Sequence, residues 1–282
     1  MSTFPFPLGM NQFTTQPWSF EEDIRRFPSL SVQTIELCEA KMDLNRLDEQ
    51  MRLVRESGLK VSSVQPLVRT FYGSQMVSEP QDPAQRLRRL EHTMRTLAPY
   101  TQGAPFVVNT GAPPQGNVQE CLNGTIKALK SLCPLAEELG ITLSLEPLNP
   151  TSINSETGIW TINQALEIID TVGHPALGLC LDYWNIWQQP QAAETIRAAG
   201  SRINVVQISD WRTPRSAGDR LIPGDGDIPL RSLLQATWDA GFRGACAVEI
   251  FSSDVEDSLY LEDPADVIKR SYQGLKKLWN DA

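Results

Sequence analysis

Histidine is almost missing from this 282-residue chain, which has only His92 and His174. Multi-zinc phosphodiester cleavage draws on several imidazoles and a basic groove, and this sequence supplies neither. Lysine is also scarce. The seven lysines (Lys41, Lys60, Lys127, Lys130, Lys269, Lys276 and Lys277) fall mostly in helix-like segments, and none ends a strand in the second half, as a Schiff-base aldolase would need. Basic charge is short overall, with 25 Lys and Arg against 34 Asp and Glu and a net charge of −9, so nucleic acid is not an expected partner. The five cysteines (Cys38, Cys121, Cys133, Cys180 and Cys246) form no CxxC pair. Their odd number argues against a disulfide framework and for reduced, buried thiols. No apolar run is long enough to cross a bilayer, so no membrane association is expected. The start, MSTFPFPLGMNQF, carries no basic segment followed by a long apolar stretch, so the expected location is the cytoplasm. No GxGxxG follows the first strand, which sets aside a dinucleotide-binding fold.

What the chain does have is alternation. Short β-branched and apolar runs alternate with longer amphipathic stretches eight times along the sequence. The strands expected are Leu8–Phe13, Val32–Glu39, Lys60–Leu67, Pro105–Gly111, Thr142–Leu148, Leu177–Trp184, Ile203–Trp211 and Gly244–Ser252. Between them the clearest helix is Asn117–Leu139, where Leu122, Ile126, Leu129, Leu132, Leu135 and Leu139 recur at helical steps and should face the barrel. Gly58, Gly140, Gly173 and Gly241 stand where helices would end in a left-handed residue. Eight such units, with no linker or low-complexity tract, predict an α/β chain forming a single (β/α)8 TIM barrel as one domain over residues 1–282.

Barrel sites lie at the C-terminal ends of the strands. There the second half places Glu146 (SLEPLNP), Asp182 (CLDYWN), Gln207 (VVQISDW) and Glu249 (AVEIFS). Converging buried carboxylates need a positive charge, and a divalent cation bound by Glu146, Asp182, Gln207 and Glu249 would supply it. Asp210 is read as structural, paired with Arg212 or Arg220.

The segments LSLEPLNP, LGLCLDYWN, VVQISDWRTP, DRLIPGDGDIPL and AVEIFS resemble the xylose-isomerase-like TIM-barrel superfamily, in particular its sugar 3-epimerases and inosose dehydratase-type proteins. The resemblance implies a metal held by Glu146, Asp182, the position of Gln207, and Glu249, with Glu146 and Glu249 as the acid/base pair. Two positions depart from the pattern: Gln207 stands where the family has a ligating histidine, and Asn185 where it has a substrate-contacting one. An amide oxygen favours Mn²⁺, or Mg²⁺, over zinc as the cofactor.

A metal-stabilised enediolate with Glu146 and Glu249 as acid and base gives isomerisation or epimerisation of an unphosphorylated sugar or keto-sugar. With a leaving group β to the carbanion, the same step is elimination by a lyase or dehydratase. A barrel that has lost its chemistry, serving as a sugar-binding module or partner subunit, is the non-enzyme reading. Phe13, Trp184, Trp211, Asn185 and Arg212 are the expected substrate contacts, with Trp18, Trp187, Phe251 and Arg220 near the same mouth. The PGDG loop exposes backbone N–H groups, but Asp225 and Asp227 beside them argue against a phosphate. Glu36, Glu39, Lys41 and Glu156 receive no role. Self-association is expected from the resemblance alone.

Overall fold

A computed structural model describes residues 4–216 and 218–280. The expected domain span of 1–282 therefore includes residues 1–3, 217 and 281–282, which lie outside the described residues. The strands are β1 (Leu8–Asn11), β2 (Thr34–Cys38), β3 (Lys60–Gln65), β4 (Phe106–Val108), β5 (Leu143–Leu145), β6 (Leu177–Asp182), β7 (Ile203–Ile208) and β8 (Cys246–Val248). Each pairs in parallel with the next, and β8 returns to β1, so the sheet closes into the expected (β/α)8 barrel in sequence order.

The helices are α1 (Phe20–Arg26), α2 (Leu47–Ser57), α3 (Pro83–Thr101), α4 (Val118–Glu138), α5 (Ile162–Val172), α6 (Tyr183–Ile186), α7 (Ala192–Ala199), α8 (Leu230–Asp239) and α9 (Pro264–Asn280). Local chemistry fixes several of their ends. Ser19 with Glu22 and Thr161 with Gln164 form capping boxes that satisfy the first free N–H groups of α1 and α5. Gly58 and Gly173 close α2 and α5 in the left-handed region that glycine adopts without penalty. In α4, Leu129 and Leu132 are fully buried, but the line facing inward is completed by Cys121, Thr125, Cys133 and Ala136. Leu122, Ile126, Leu135 and Leu139 flank that line half-buried against the core. The expected leucine stripe thus sits partly to the side of the true contact face.

Several expected strands overrun the ladder. The one expected at Pro105–Gly111 is a strand only over Phe106–Val108, and that at Gly244–Ser252 only over Cys246–Val248. Beyond these bounds only isolated backbone bonds continue, such as the Asn109–Thr70 bridge and Glu249 N–H to Ile208, and the polar side chains there serve the site. At β1, for example, the Asn11 Oδ1 accepts the backbone N–H of Phe13 at 2.8 Å, which ends the strand after four residues.

Candidate functional site

Each strand carries a buried polar side chain within two residues of its C-terminal end. Asn11, Glu36, Gln65, Asn109, Glu146, Asp182, Gln207 and Glu249 follow one another around the barrel mouth, and none is more than 5% exposed. The four expected from the sequence, Glu146, Asp182, Gln207 and Glu249, are brought into one hydrogen-bonded cluster. Asn11, Gln65 and Asn109 join this cluster without being expected from the sequence, and Glu36, to which the sequence assigns no role, joins it as well. The signal of the three amides lies in LGMN and FVVN, where an apolar run stops on an asparagine, and more weakly in SSVQ, where Val64 is followed by Gln65. Amides carry no charge to attract notice, yet they are what binds the carboxylates together.

Glu249 is the most heavily bonded of these. Its Oε1 accepts from Asn11 Nδ2 at 2.8 Å, Gln65 Nε2 at 2.5 Å and Gln207 Nε2 at 3.1 Å. Its Oε2 accepts from Arg220 Nη1 at 2.7 Å. The same guanidinium reaches Asp182 Oδ2 through Nη2 at 2.9 Å, so one arginine joins two strand ends. Arg220 lies in the loop after β7, and an antiparallel bridge between Asp210 and Leu221 carries it to the mouth. Its backbone N–H also donates to the Phe251 carbonyl at 2.8 Å. The guanidinium carbon stands 4.8 Å from the ring centres of both Trp184 and Phe251.

Amides complete the circuit. Asn185 Nδ2 donates to Glu146 Oε1 at 2.9 Å and to Asp182 Oδ2 at 2.8 Å, while Asn109 Nδ2 donates to Glu146 Oε2 at 2.8 Å. Asp182 Oδ1 accepts the backbone N–H of Trp184 at 3.0 Å, which also caps α6. Gln207 Nε2 donates to both Glu36 oxygens at 3.1 Å, and its Oε1 accepts the Cys180 thiol at 3.2 Å. Asn11 Nδ2 bonds Glu36 Oε2 at 2.7 Å.

Four buried carboxylates share one guanidinium, and the deficit appears as proton affinity. Desolvation, reinforced by the charges of Glu249 and Asp182, pushes Glu146 up to about 8. Desolvation and the charge of Glu249 push Glu36 up to about 7. Burial raises Asp182 to about 6, a rise that Arg220 limits. At neutral pH Glu146 therefore carries a proton for most of the time, and the cluster offers an acid and carboxylates side by side.

The divalent cation expected from the sequence can be tested against these donors. A hard cation needs oxygen lone pairs aimed at a common centre. Here each oxygen of Glu146, Asp182 and Glu249 already accepts an N–H, and the centre between Asp182 and Glu249 is held by Arg220. Gln207 presents its nitrogen, not its oxygen, to the neighbouring carboxylates. Among the described residues, no group of three or more His, Cys, Asp or Glu side chains is disposed to hold a metal ion. The arrangement does not fit Mn²⁺ or Mg²⁺ bound by these four residues.

A cavity of about 330 Å³ opens above the cluster, lined by Gln65, Asn109, Glu146, Asn185, Arg220 and Glu249 among others. Of the expected substrate contacts, Asn185 and Trp184 line it. Phe13 lies outside, packed on Phe251 with ring centres 5.1 Å apart. Trp211 packs against Trp187 and donates its ring N–H to the Ser216 carbonyl at 2.9 Å, and Arg212 is exposed away from the cavity. Trp18 is buried beside Phe27. Arg69 lines the cavity although no motif or strand end singles it out, and Glu156 lines it too.

Asp210 is structural, but through a different partner set from the one expected. It takes backbone N–H groups from Trp211, Gly224 and Ile228 at 2.9–3.1 Å, because the PGDG loop folds over its carboxylate. A side chain at Gly226 would begin 2.3 Å from Asp210 Oδ1, so glycine is what permits this closure. With its N–H groups turned onto Asp210, the loop is no phosphate cradle. His92 is exposed on α3, and His174 precedes β6 at the opposite end of the barrel, its Nδ1 accepting the Ala176 N–H at 3.2 Å. The five cysteines are buried and unpaired. No helix among the described residues is long and apolar enough to cross a membrane.

A family model described as xylose isomerase-like TIM barrel matches residues 29–278. Among curated proteins, fructoselysine 3-epimerase of Escherichia coli O157:H7 is 26% identical over 151 residues, covering 53% of this chain and 51% of that protein. The chain thus spans about half the length of the curated relatives it matches first. A crystal structure of a protein from Sinorhizobium meliloti 1021 is 25% identical with a TM-score of 0.85, covering 96% of this chain and 98% of that one. The structure of the IOLI protein with a bound zinc atom has a TM-score of 0.79 at 20% identity, covering 98% of this chain and 99% of that one, a likeness of fold.

Proposed function

The chain belongs to the xylose isomerase-like TIM barrel family, and from that premise we propose that it is an isomerase or epimerase, one barrel domain acting on an unphosphorylated sugar or keto-sugar. The observation that carries the reading is the pair Glu146 and Glu249, held on separate strand ends at the floor of one cavity. Fructoselysine 3-epimerase among the relatives supports proton transfer beside a carbonyl in preference to elimination. Retention of both glutamates supports an enzyme over a binding module.

In this reading Glu249 removes the proton from the carbon next to the carbonyl. The C–H electron pair moves into the new C=C bond, and the carbonyl π pair moves onto oxygen, giving an enediolate. Glu146, which holds a proton near neutral pH because it is buried among other carboxylates, delivers that proton to the opposite face of the carbon. Epimerisation leaves atoms and electrons balanced, since one proton leaves and one returns. Arg220, between Asp182 and Glu249, is placed to stabilise the developing oxyanion, and Asn185 orients Glu146. Trp184 gives the apolar face of a sugar a surface to lie on.

Incubation in D₂O with a panel of ketoses and keto-sugars tests the proposal. Deuterium should enter the carbon beside the carbonyl and be detected by mass spectrometry and NMR. Tight sugar binding with no label in any member of the panel would replace this reading with that of a binding barrel.

A further inference from the structure

We infer that Arg220, and not a divalent cation, is the resident positive charge among Glu146, Asp182, Gln207 and Glu249, and that it is the electrophile of the site. The inference rests on the proposed sugar chemistry for its catalytic half; its charge half stands on geometry alone.

Three observations converge. First, Arg220 is locked in place. It is 5% exposed, its carbon lies 4.8 Å from the ring centres of Trp184 and Phe251, and its two Nη atoms are committed to different strand ends. A cation entering between Asp182 and Glu249 would have to displace it from both carboxylates and both rings. Second, the orientation of Gln207 is dictated by its neighbours. On one side of its amide stand the carboxylates of Glu36 and Glu249; on the other stands the Cys180 thiol. Turning the amide to offer its oxygen would break three donor contacts and set that oxygen against Glu36, an unfavourable acceptor–acceptor approach. Third, Asn185 reaches Glu146 and Asp182 through a single nitrogen, which sets an N–H donor between the two carboxylates where a metal would need their oxygens to converge.

Catalytically, a guanidinium takes over the electrostatic part of a metal's work with its charge and its N–H donors. Arg220 lines the cavity above the cluster, so a carbonyl bound there meets its positive charge. It polarises the carbonyl, and the enediolate oxygen that forms is held by the same group, with no change of oxidation state and no co-reactant.

Ion binding tests the charge half without reference to turnover. The full chain, purified after growth with added manganese, is analysed for bound metals by mass spectrometry. It is then titrated with Mn²⁺, the free ion being read from its six-line EPR signal. Wild type should carry no stoichiometric metal and show no saturable loss of the free-ion signal into the millimolar range. One ion per chain, bound saturably and released by chelator, would overturn the inference while leaving the proposed sugar chemistry standing. Gln207→His combined with Arg220→Met restores an imidazole and removes the competing cation, and should bind one ion per chain. Should that variant fail to fold by circular dichroism, Gln207→His alone in the wild-type background serves, with binding expected to be weaker. For the catalytic half, Arg220→Lys should keep part of the deuterium exchange and Arg220→Met should lose it. Full exchange in a folded Arg220→Met would remove the arginine from the chemistry.

Discussion

Replacing Arg220 with methionine removes the cation that Asp182 and Glu249 share, and the structure sets the size of the effect. The side chains of Arg220, Asp182 and Glu249 are 6%, 0% and 3% exposed, so water cannot screen what is lost. Breaking a buried ion pair from one side costs about 3–5 kcal/mol, mostly because the remaining charge stays buried and uncompensated. Methionine keeps contact with Trp184 and Phe251 and confines the change largely to charge. Part of the cost can be relieved by protonation. Asp182 is already raised to about 6 with Arg220 present, and it rises further once the guanidinium is gone. A carboxylate whose folded pKa lies above its unfolded value contributes stability at low pH that is lost as pH rises through the folded value. The variant should therefore lose about 3–5 kcal/mol near pH 8 and at least about 1 kcal/mol less near pH 5. Urea unfolding followed by tryptophan fluorescence, with Trp184 beside the mutated group, gives both numbers. A loss below about 1 kcal/mol at pH 8, or a larger loss at pH 5, would refute the electrostatic reasoning.

The same linkage governs the wild type: with Asp182 raised to about 6, Glu36 to about 7 and Glu146 to about 8, their joint contribution favours the acidic side and declines between about pH 4 and 8. A urea midpoint that climbs through this window for wild type, but not for Glu36→Gln, would contradict the assigned shifts. Glu249→Gln should reduce deuterium exchange by about 10²-fold or more, in line with loss of a general base, and an unchanged exchange rate would clear Glu249 of that role. Gly274→Ala should cost about 1–3 kcal/mol, since a Cβ there would lie 1.9 Å from the Pro223 carbonyl oxygen where α9 meets the PGDG loop. A thermal midpoint equal to wild type would show that the loop gives way freely.

Much of this molecule can be read from its residue pattern. Alternating apolar runs and helix-ending glycines mark the barrel, because the periodicity of each element reflects the face it buries. Glu146, Asp182, Gln207 and Glu249 stand out as polar residues closing apolar strands, and they do meet. What could not be read is how their hydrogen bonds close. Asn11, Gln65 and Asn109 look like ordinary strand-end amides until the barrel curls them toward Glu249 and Glu146. Arg220 lies well beyond the end of β7 and reaches the site through the Asp210–Leu221 bridge, a pairing with no local signature. Strand ends were overrun for a related reason: beyond Val108 and Val248 the backbone still makes isolated bonds to its neighbours, such as Asn109 with Thr70 and Glu249 with Ile208, without continuing the ladder.

The central claim is that a carboxylate pair beside Arg220 moves a proton on a keto-sugar without a metal between them. Deuterium uptake from D₂O, measured on chelator-treated protein with and without added Mn²⁺, tests it most directly. The account requires labelling of the carbon next to the carbonyl at the same rate in both samples. Labelling that vanishes on chelation and returns with manganese would contradict it.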